Sequence, residues 1–573
     1  MALKQFGHLK CYVCAFGSIT TGTLFVALLY IVQTDRMHEQ LQGQGFGNQT
    51  LQELNHVNEK PLRGQLTRNQ SLEKNSRLKG EIKLDVTQNS RKIYQKKDRT
   101  LEERRWLESV LKAREEPHQD LVALDKARQQ LKKFYHGNIS APGQLHIPDK
   151  TPDFKAISGL ESILYVHAAL WQGDNVRISI IKKRGKLDNI LCVFWYSSNQ
   201  RSNFTVVKAL VKDLQSYNFE NACAYIKCFL KLDKEREKSS APVFVGLVNK
   251  KTLSAGHRIL LPIENRDMDP DRVNRGTTPK ISKDDNKNSK PTSVKNRVVE
   301  FTVCIPAMFN YRKAAQLVEK LEMVRLLGAG RVVLYDANIA PNVRSVLRLY
   351  TQEWAAGNET LEVVVHSWKL PQLRLHYWGQ VAAIEDCLYR YGWLSKYMVF
   401  DDLDEFIIPL QHKNWHELIA ERELSPGYGA FMFRSSVMNQ DHASPAKGFE
   451  IEARKYDSLI LGFTQRDDYV YAPLLRSKLI VNPRKIESIG VHHVYEGYGA
   501  TDVIPLDQGL VYHYRWPILP CGPEVKDNRV STRFGKSLLV RLKSIWSKLR
   551  DVQIVKTIPR SNSTRETCYK EMN

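Results

Sequence analysis

Apolar residues in the second half of the chain recur in two alternating patterns. Short β-branched runs predict strands at residues 298–309, 331–337, 361–368 and 397–409. Apolar residues with helical spacing predict helices between them, at residues 313–330, 343–356 and 379–393. Strands that alternate with helices form mostly parallel sheets with helices packed on both faces. The pattern therefore predicts an α/β domain at residues 298–550, in which ligands bind at the carboxyl ends of the strands.

The first half of the chain has a different organisation. β-branched and aromatic runs separated by turn residues predict a small β-rich domain at residues 156–264. Residues 265–297 contain almost no apolar side chains and predict a linker, and residues 33–155 are a polar stem. Leucines on a rough stripe at 101–134 predict a stem helix, which either pairs two stems in a homodimer or stays solvated. Residues 551–573 are a polar tail.

The segment 11–32 predicts a membrane anchor. It carries no charged side chain and spans roughly 33 Å as a helix, enough to cross a bilayer. A cleaved signal peptide is the alternative, but no small-residue cleavage site closes the run before Gln33. Basic residues alone precede the run, so residues 1–10 are predicted to be cytosolic and the rest lumenal, as in a type II membrane protein. Six N-x-[ST] sequons agree with secretory passage: Asn48, Asn69, Asn138, Asn203, Asn358 and Asn562.

The net charge of +23 raises the question of nucleic-acid binding. The basic residues are spread over the stem, the linker and the tail, with no basic run interleaved with aromatic residues, so no nucleic-acid partner is predicted. Nine cysteines, two of them in the anchor, are too few for a disulfide scaffold but suit a few bridges in an oxidising lumen. Cys192 is predicted to pair with Cys223 or Cys228.

Four acidic residues, Asp401, Asp402, Asp404 and Glu405, follow the apolar run at 397–400. Close carboxylates repel each other, and burying them without a partner is costly. In a continuous strand, Asp402 and Asp404 point to the same side and can share one cation, because side chains alternate along a strand. Carboxylate oxygens suit Mn²⁺ or Mg²⁺. An acidic surface turn is the alternative interpretation.

A divalent ion at the mouth of such a sheet typically holds a diphosphate and stabilises the charge of a departing one. In a secretory lumen the predicted diphosphate compound is a nucleotide sugar, and the predicted reaction is glycosyl transfer. Two other functions stay open from the residues alone. One is a lumenal glycan-binding protein with no turnover, and the other is a metal-dependent hydrolase whose acids activate water.

Six motifs, in their order along the chain, resemble glycosyltransferase family 92: VCIPAMF, LLGAGRVVLYD, HYWGQVAAIEDCLYR, YMVFDDLDEFIIP, RSKLIVNPRKIESIGVHH and GLVYHYR. The resemblance spans residues 158–516. It implies a GT-A fold and an inverting, manganese-dependent transferase that uses UDP-galactose. Members of the family include β-1,4-galactosyltransferases that act on galactose-ended N-glycans, and others that galactosylate core fucose. The implied partners are UDP-galactose, an N-glycan acceptor and the Golgi membrane, with the head of the enzyme in the Golgi lumen.

The resemblance also implies roles for individual residues. Asp402 and Asp404 correspond to metal ligands, and His492 is the favoured third ligand, with His493 and His513 as alternatives. Residues at strand ends and at the start of a helix are implied contacts of the nucleotide sugar, with ordinary turn chemistry as the alternative: Pro306, Tyr335, Asp336 and Gln380, besides Asp402 and Asp404.

An inverting transfer needs a general base that takes the proton of the acceptor hydroxyl. Asp441 is the first candidate, followed by Asp467 and Asp468, and each is otherwise an acid of a surface turn. Basic and aromatic residues near the predicted sheet mouth either contact phosphate and sugar or pack in the core: Arg476, Lys478, Arg515, Trp378, Tyr495 and Tyr498.

Overall fold

The computed structural model describes residues 124–131 and, with short gaps, residues 153–264 and 297–555. The predicted cytosolic tail, the anchor, most of the stem and the linker lie outside these residues, as do the sequons at Asn48, Asn69, Asn138, Asn203 and Asn562. Asn358 is described and is exposed. Among the described residues, no helix is both long and apolar enough to cross a membrane.

Eight strands form the first domain, in the region that the sequence predicts to be β-rich. Their order is β1-β2-β3-β6-β5-β4-β7-β8, and β2 also pairs with β8, which closes the sheet into a barrel. The strands are β1 Lys155–Ile157, β2 Leu164–Trp171, β3 Asn175–Lys183, β4 Ile190–Trp195, β5 Phe204–Asp213, β6 Asn221–Phe229, β7 Phe244–Asn249 and β8 Leu261–Glu264.

The end of the predicted stem packs on this barrel. Residues 124–131 are helical, and Ala127 and Leu131 are buried against Leu191, Val193 and neighbouring apolar residues of the barrel. This part of the stem therefore packs on the barrel with one face, and most of its other side chains are exposed.

The second domain is built on a seven-stranded sheet of order β11-β10-β9-β12-β17-β14-β20. Its first four strands pair in parallel and are joined by helices, as the alternating pattern predicts. These elements are β9 Val299–Tyr311, α1 Ala314–Leu326, β10 Ala329–Ile339, α2 Pro341–Ala355, β11 Glu362–Ser367, α3 Gln380–Tyr391 and β12 Ser395–Phe400. The remaining strands are β14 Tyr428–Phe433, β17 Lys478–Val481 and β20 Ala500–Val503.

A second, five-stranded sheet has the order β13-β21-β15-β16-β22. Its strands are β13 Glu405–Pro409, β15 Ser435–Asn439, β16 Gln465–Asp467, β21 Gly509–Arg515 and β22 Glu524–Lys526. Strands β18 Ile486–Ile489 and β19 Val494–Gly497 form a hairpin. The other helices are α4 Trp415–Glu423, α5 Glu450–Tyr456, α6 Leu459–Gly462 and α7 Arg529–Lys548.

The seven-stranded sheet is buried on both faces, which explains its continuous apolar strands. In β9, Phe301 and Val303 belong to the core under α1 and α2, whereas Cys304 belongs to the core under α3. The second core also contains Leu170 and Tyr225 of the barrel. Helix α3 therefore lies between the sheet and the barrel, and both domains share one apolar core.

Arg177 of the barrel is the main polar contact across this interface, and it is fully buried. Its guanidinium stacks between the rings of Tyr225 and Tyr389, at 4.0 and 3.5 Å from their centroids. Its Nη1 donates to the backbone C=O of Glu487 at 3.0 Å and lies 3.5 Å from Oε2 of Glu385. Arg177 thus joins the barrel to α3 and to β18.

Two disulfides reinforce the domains. Cys192–Cys228 joins β4 to β6, and Cys304–Cys387 joins β9 to α3. Of the two partners predicted for Cys192, the structure pairs it with Cys228. Cys223 is a buried thiol whose pKa burial raises to about 12.

We expect Arg177→Ala to lower the free energy of unfolding by about 3–5 kcal/mol, because it leaves Glu385 buried without its cation. Chemical denaturation of the variant and the wild type measures the difference. Lys208→Ala, which removes an exposed lysine of the same barrel, is the control and should change the value by less than about 0.5 kcal/mol. A loss as small as that of the control would contradict the assigned role of Arg177.

Candidate active site

The acidic loop, residues Asp401–Glu405, joins the two sheets of the second domain, since β12 ends at Phe400 and β13 begins at Glu405. The prediction of one continuous strand through 397–409 is therefore wrong at its centre. A turn interrupts it, in which the backbone N–H of Glu405 donates to the C=O of Asp402 at 3.2 Å. The directions of the acids come from this turn and not from strand alternation.

The four acids of the loop fall into a buried pair and a partly exposed pair. Asp401 and Glu405 are 2% and 1% exposed. The side chains of Asp402 and Asp404 are 31% and 40% exposed. The second pair is therefore available to a ligand at the carboxyl edge of β12.

Two buried lysines neutralise the buried acids. Lys320 Nζ lies 2.6 Å from Oδ2 of Asp401 and donates to the C=O of Glu405 at 2.6 Å. Lys478 Nζ lies 2.7 Å from Oε2 of Glu405. Burial raises the pKa of Asp401 to about 6 even with Lys320 beside it. Burial also acts to raise the pKa of Glu405, but Lys478 and His513 outweigh it and hold that pKa below its usual value.

Asp402 is held from two sides. Lys478 Nζ lies 2.7 Å from its Oδ2, and Gln380 Nε2 donates to its Oδ1 at 3.2 Å. Gln380 is the first residue of α3, so the structure brings this predicted contact residue to the acidic loop. Both contacts fix the orientation of the Asp402 carboxylate.

Three histidines were predicted as alternative ligands, and the structure separates them. His513 Nε2 lies 3.6 Å from Oδ2 of Asp404. His492 bonds the C=O of Ser477 through Nδ1 at 3.0 Å, and burial lowers its pKa to about 3, so its ring is neutral near neutral pH. It also lies close enough to Asp402 to interact electrostatically. His493 instead packs edge-on against Tyr495.

These donors suit a divalent cation. Two outward carboxylates and a neutral imidazole are ligands that Mn²⁺ accepts. Among the described residues, no three such side chains are already gathered around one point. The group therefore provides a donor set of suitable chemistry, in which Asp402 and Asp404 are joined by either His492 or His513.

Of the other residues predicted to contact a nucleotide sugar, Pro306 is half-buried in β9 near the carboxyl edge of the sheet. Tyr335 lies in the core, where its hydroxyl donates to Oδ2 of Asp386 at 2.8 Å. That position leaves it no exposed atom for a nucleotide. Asp336 lies near the end of β10: its Oδ1 accepts the N–H of Asn338 at 3.0 Å, and its Oδ2 lies 3.1 Å from Nη2 of Arg344.

The turn before Gln380 has an unusual backbone. Tyr377, Trp378 and Gly379 all have left-handed conformations, with φ of 40°, 51° and 73°. Such conformations cost roughly 1–2 kcal/mol for each residue other than glycine. The Trp378 ring stacks on Phe309 at a centroid distance of 4.1 Å, at the same edge of the sheet as the acidic loop. The sequence carries no signal for this strained turn beyond the single glycine.

The five-stranded sheet provides a polar surface beside the acidic loop. Glu405 pairs with His513 and His513 with Val437, while the pairing of Met438 with Arg466 places Asp467 opposite Val437. Paired residues of adjacent strands point to the same face of a sheet. His513 and Asp467 therefore share one face, on which Glu405 is the innermost acid.

The three candidate bases lie at different places around this surface. Asp467 ends β16, and Asp441 follows β15 close enough to raise the pKa of Asp467. Burial is the largest cause of that shift, and the pKa reaches about 6. Asp468 is exposed, and its backbone N–H donates to Pro523.

Two residues of the site were missed from the sequence. Lys320 lies in the middle of α1, where nothing in the local pattern indicates an acid partner 81 residues away. Tyr311 ends β9, and its buried hydroxyl has no hydrogen-bond partner within the described part of the chain. Burial, followed by Asp404, raises the pKa of Tyr311, so the hydroxyl stays protonated.

We expect Lys320→Met to lower the free energy of unfolding by about 3–5 kcal/mol, because Asp401 then remains buried without a cation. Chemical denaturation measures the loss. The double variant Lys320→Met with Asp401→Asn should recover much of it, because neither charge then remains buried. Equal losses in the single and the double variant would contradict this pairing.

Comparisons with known proteins agree with these features. The sequence profile of glycosyltransferase family 92 matches residues 299–547. A β-1,4-galactosyltransferase of Caenorhabditis elegans is 23% identical over 197 residues, which span 34% of this chain and 42% of that protein. A galactan β-1,4-galactosyltransferase of Arabidopsis thaliana is 30% identical over 118 residues, spanning 20% of this chain and 21% of its own. The chain thus spans less than half the length of these relatives.

Solved structures show a distant likeness. GalNAc-T7 with UDP, GalNAc and Mn²⁺ has a TM-score of 0.23 and 11% identity, over 48% of this chain and 55% of that chain. A mannosyltransferase from Pyrobaculum calidifontis with GDP-Man and Mn²⁺ has a TM-score of 0.22 and 12% identity, over 47% and 80%. The family resemblance predicted from the six motifs is confirmed by the profile and the relatives: residues 299–547, with both sheets and the acidic loop, match the glycosyltransferase family 92 model.

Proposed function

We propose that this chain is a metal-dependent, inverting glycosyltransferase that transfers galactose from UDP-galactose to galactose-ended N-glycans in a β-1,4 linkage. The observation that carries the proposal is the acidic loop, which exposes Asp402 and Asp404 while lysines neutralise Asp401 and Glu405. A glycan-binding protein without turnover has no need of such a pair of outward carboxylates. The domain's family supports glycosyl transfer as the reaction.

Asp402 and Asp404 would hold the cation, with His492 or His513 as a third ligand. A bound divalent ion would supply positive charge that stabilises the departing diphosphate. The chain's own residues prepare this position. Gln380 and Lys478 fix the Asp402 carboxylate, and His513 lies beside Asp404.

The donor is proposed from the relatives, since two proteins named as galactosyltransferases match this chain. The nucleotide would lie at the carboxyl ends of β9 and β10, between Pro306 and Gln380. Asp336 is engaged by backbone N–H groups at the end of its own strand and by Arg344, so it contributes to the shape of this edge more than to direct contacts.

The cellular place is proposed from the sequence. An uncleaved anchor at residues 11–32 would hold the enzyme in the Golgi membrane with residues 33–573 in the lumen. The disulfides Cys192–Cys228 and Cys304–Cys387 suit an oxidising compartment. Asn358 is exposed and open to glycosylation.

We expect Asp402→Asn and Asp404→Asn each to lower galactose transfer by at least about 100-fold, because each removes one carboxylate from the cation. Transfer from UDP-galactose to a galactose-ended N-glycan is measured with Mn²⁺ and with a chelator, and UDP binding is measured by calorimetry. Both variants should keep the wild-type melting temperature while losing Mn²⁺-dependent UDP binding.

Asp507→Asn, in an exposed turn, is the matched control and should leave transfer unchanged. Wild-type transfer in both Asp402 and Asp404 variants would refute the assignment. Release of galactose at the same rate without an acceptor would favour a hydrolase, and glycan binding with no turnover of any donor would favour a binding protein.

A further inference from the structure

The connecting segment, residues 467–478, runs from the end of β16 in one sheet to Lys478 in the other. Its first part is fixed along β15. Oγ of the buried Ser436 lies within hydrogen-bond distance of the C=O of Asp467 and of Tyr469, at 3.0 and 3.1 Å. The segment thus begins along β15 and ends at Lys478, which contacts Asp402.

The next residues are fixed as firmly. Arg434 donates to the C=O of Val470 and of Tyr471, at 3.0 and 2.7 Å, and the N–H of Tyr471 donates to Ser435. The Tyr469 ring packs edge-on against Tyr471 with a centroid distance of 5.1 Å, yet Tyr469 is 50% exposed. A rigid backbone therefore presents a large aromatic ring to solvent.

A cation completes this surface. Arg476 has a left-handed backbone, with φ of 54°, and Leu474 has φ of 75°. The guanidinium of Arg476 lies 5.2 Å from the centroid of the Tyr471 ring. Strain of this kind persists only where the surroundings impose it, and it concentrates at functional sites. Here it accompanies an arginine that lies over the Tyr471 ring.

The spacing of the sheet adds a geometric argument. Asp467 lies two strands away from His513 in the same row, so their backbones are roughly 10 Å apart. Val437 lies between them in this row and is fully buried. The Asp467 carboxylate is thus separated from His513 by one strand, β15.

We propose that Tyr469, Tyr471 and Arg476 form a subsite for a neutral pyranose ring of the acceptor, and that Asp467 receives the proton of its hydroxyl. This inference rests on the proposed function and specifies the acceptor side of the same site. The apolar CH face of a sugar ring stacks on the exposed ring of Tyr469. The hydroxyls of the sugar bond to the carboxylate of Asp467 and the guanidinium of Arg476.

The step is balanced in atoms and electrons. A bond forms between the acceptor oxygen and C1 of the donor sugar, as the bond from C1 to the phosphate oxygen breaks. The electron pair of the broken bond leaves with the nucleoside diphosphate. The hydroxyl proton passes to the Asp467 carboxylate and later to water.

Charged groups around Asp467 come from every strand packed against it. Burial, Glu524 on β22 and Asp441 after β15 raise its pKa to about 6, and Arg466 on its own strand opposes them. The carboxyl must be deprotonated to accept a proton. Transfer should therefore rise with pH through about 6 and level off above it.

The first test concerns the aromatic subsite. Tyr469→Ala is expected to raise the KM for a galactose-ended biantennary N-glycan about tenfold, while the affinity for UDP with Mn²⁺ stays unchanged. Tyr469→Phe keeps the ring and should stay within about twofold of the wild type. Val540→Ala, at an apolar residue of α7 that is 68% exposed, is the control and should leave this KM unchanged.

The second test concerns the proton acceptor. Asp467→Asn is expected to lower kcat by at least about 100-fold and to abolish the rise in rate near pH 6, again with unchanged UDP affinity. Asp507→Asn, which changes an exposed acid of a turn outside the site, should retain both the rate and the pH profile. A wild-type pH profile in Asp467→Asn, or an unchanged KM in Tyr469→Ala, would overturn the inference.

These outcomes separate the two proposals. If the wild type transfers galactose and Asp402→Asn abolishes Mn²⁺-dependent UDP binding, while the Tyr469 and Asp467 variants behave as wild type, only the acceptor subsite is refuted. If the wild type turns over no donor, or Asp402→Asn binds UDP normally, the proposed function itself fails. Melting temperatures equal to the wild type show that each variant is folded.

Discussion

The site depends on the neutralisation of two buried acids by two buried lysines. Asp401 and Glu405 can enter the core only because Lys320 and Lys478 accompany them. An unpaired buried carboxylate would cost several kcal/mol or take up a proton. With the inner acids satisfied, the turn can present its other two carboxylates outwards at the edge of the sheet. Four acids that would repel one another are thus held in a defined arrangement, with two carboxylates available to a ligand.

The barrel also helps to position the site, through its contacts with helix α3. Helix α3 begins at Gln380, which contacts Asp402, and its other residues are packed between the sheet and the barrel. Arg177 bonds both α3 and the hairpin strand that leads to His492. Although the family profile begins at residue 299, the preceding domain forms part of the structure that orients the site. The buried Cys223 thiol lies directly under this region, against Gly379.

The sequence predicted what depends on local periodicity. The alternation of strands and helices from β9 to β12 followed from apolar spacing, and the acids were recognised from their place after an apolar strand. The turn that breaks the strand at Asp401 could not be read in the same way, because it depends on lysines far away in the chain. The burial of Tyr335 against Asp386 likewise results from packing with the barrel. Adjacent residues such as His492 and His493 differ only in their three-dimensional surroundings. The spacing of residues along the sequence therefore cannot distinguish them.

The position of the acidic loop has a mechanical consequence. It is at once an exposed acidic loop and one of several covalent links between the two sheets. Because the turn is only four residues long, movement of one sheet relative to the other acts directly on the backbone that carries the outward carboxylates. Conversely, a ligand that binds both carboxylates restricts the movement of the two sheets relative to each other. Binding of a ligand to the two carboxylates and the rigidity of the domain therefore depend on each other.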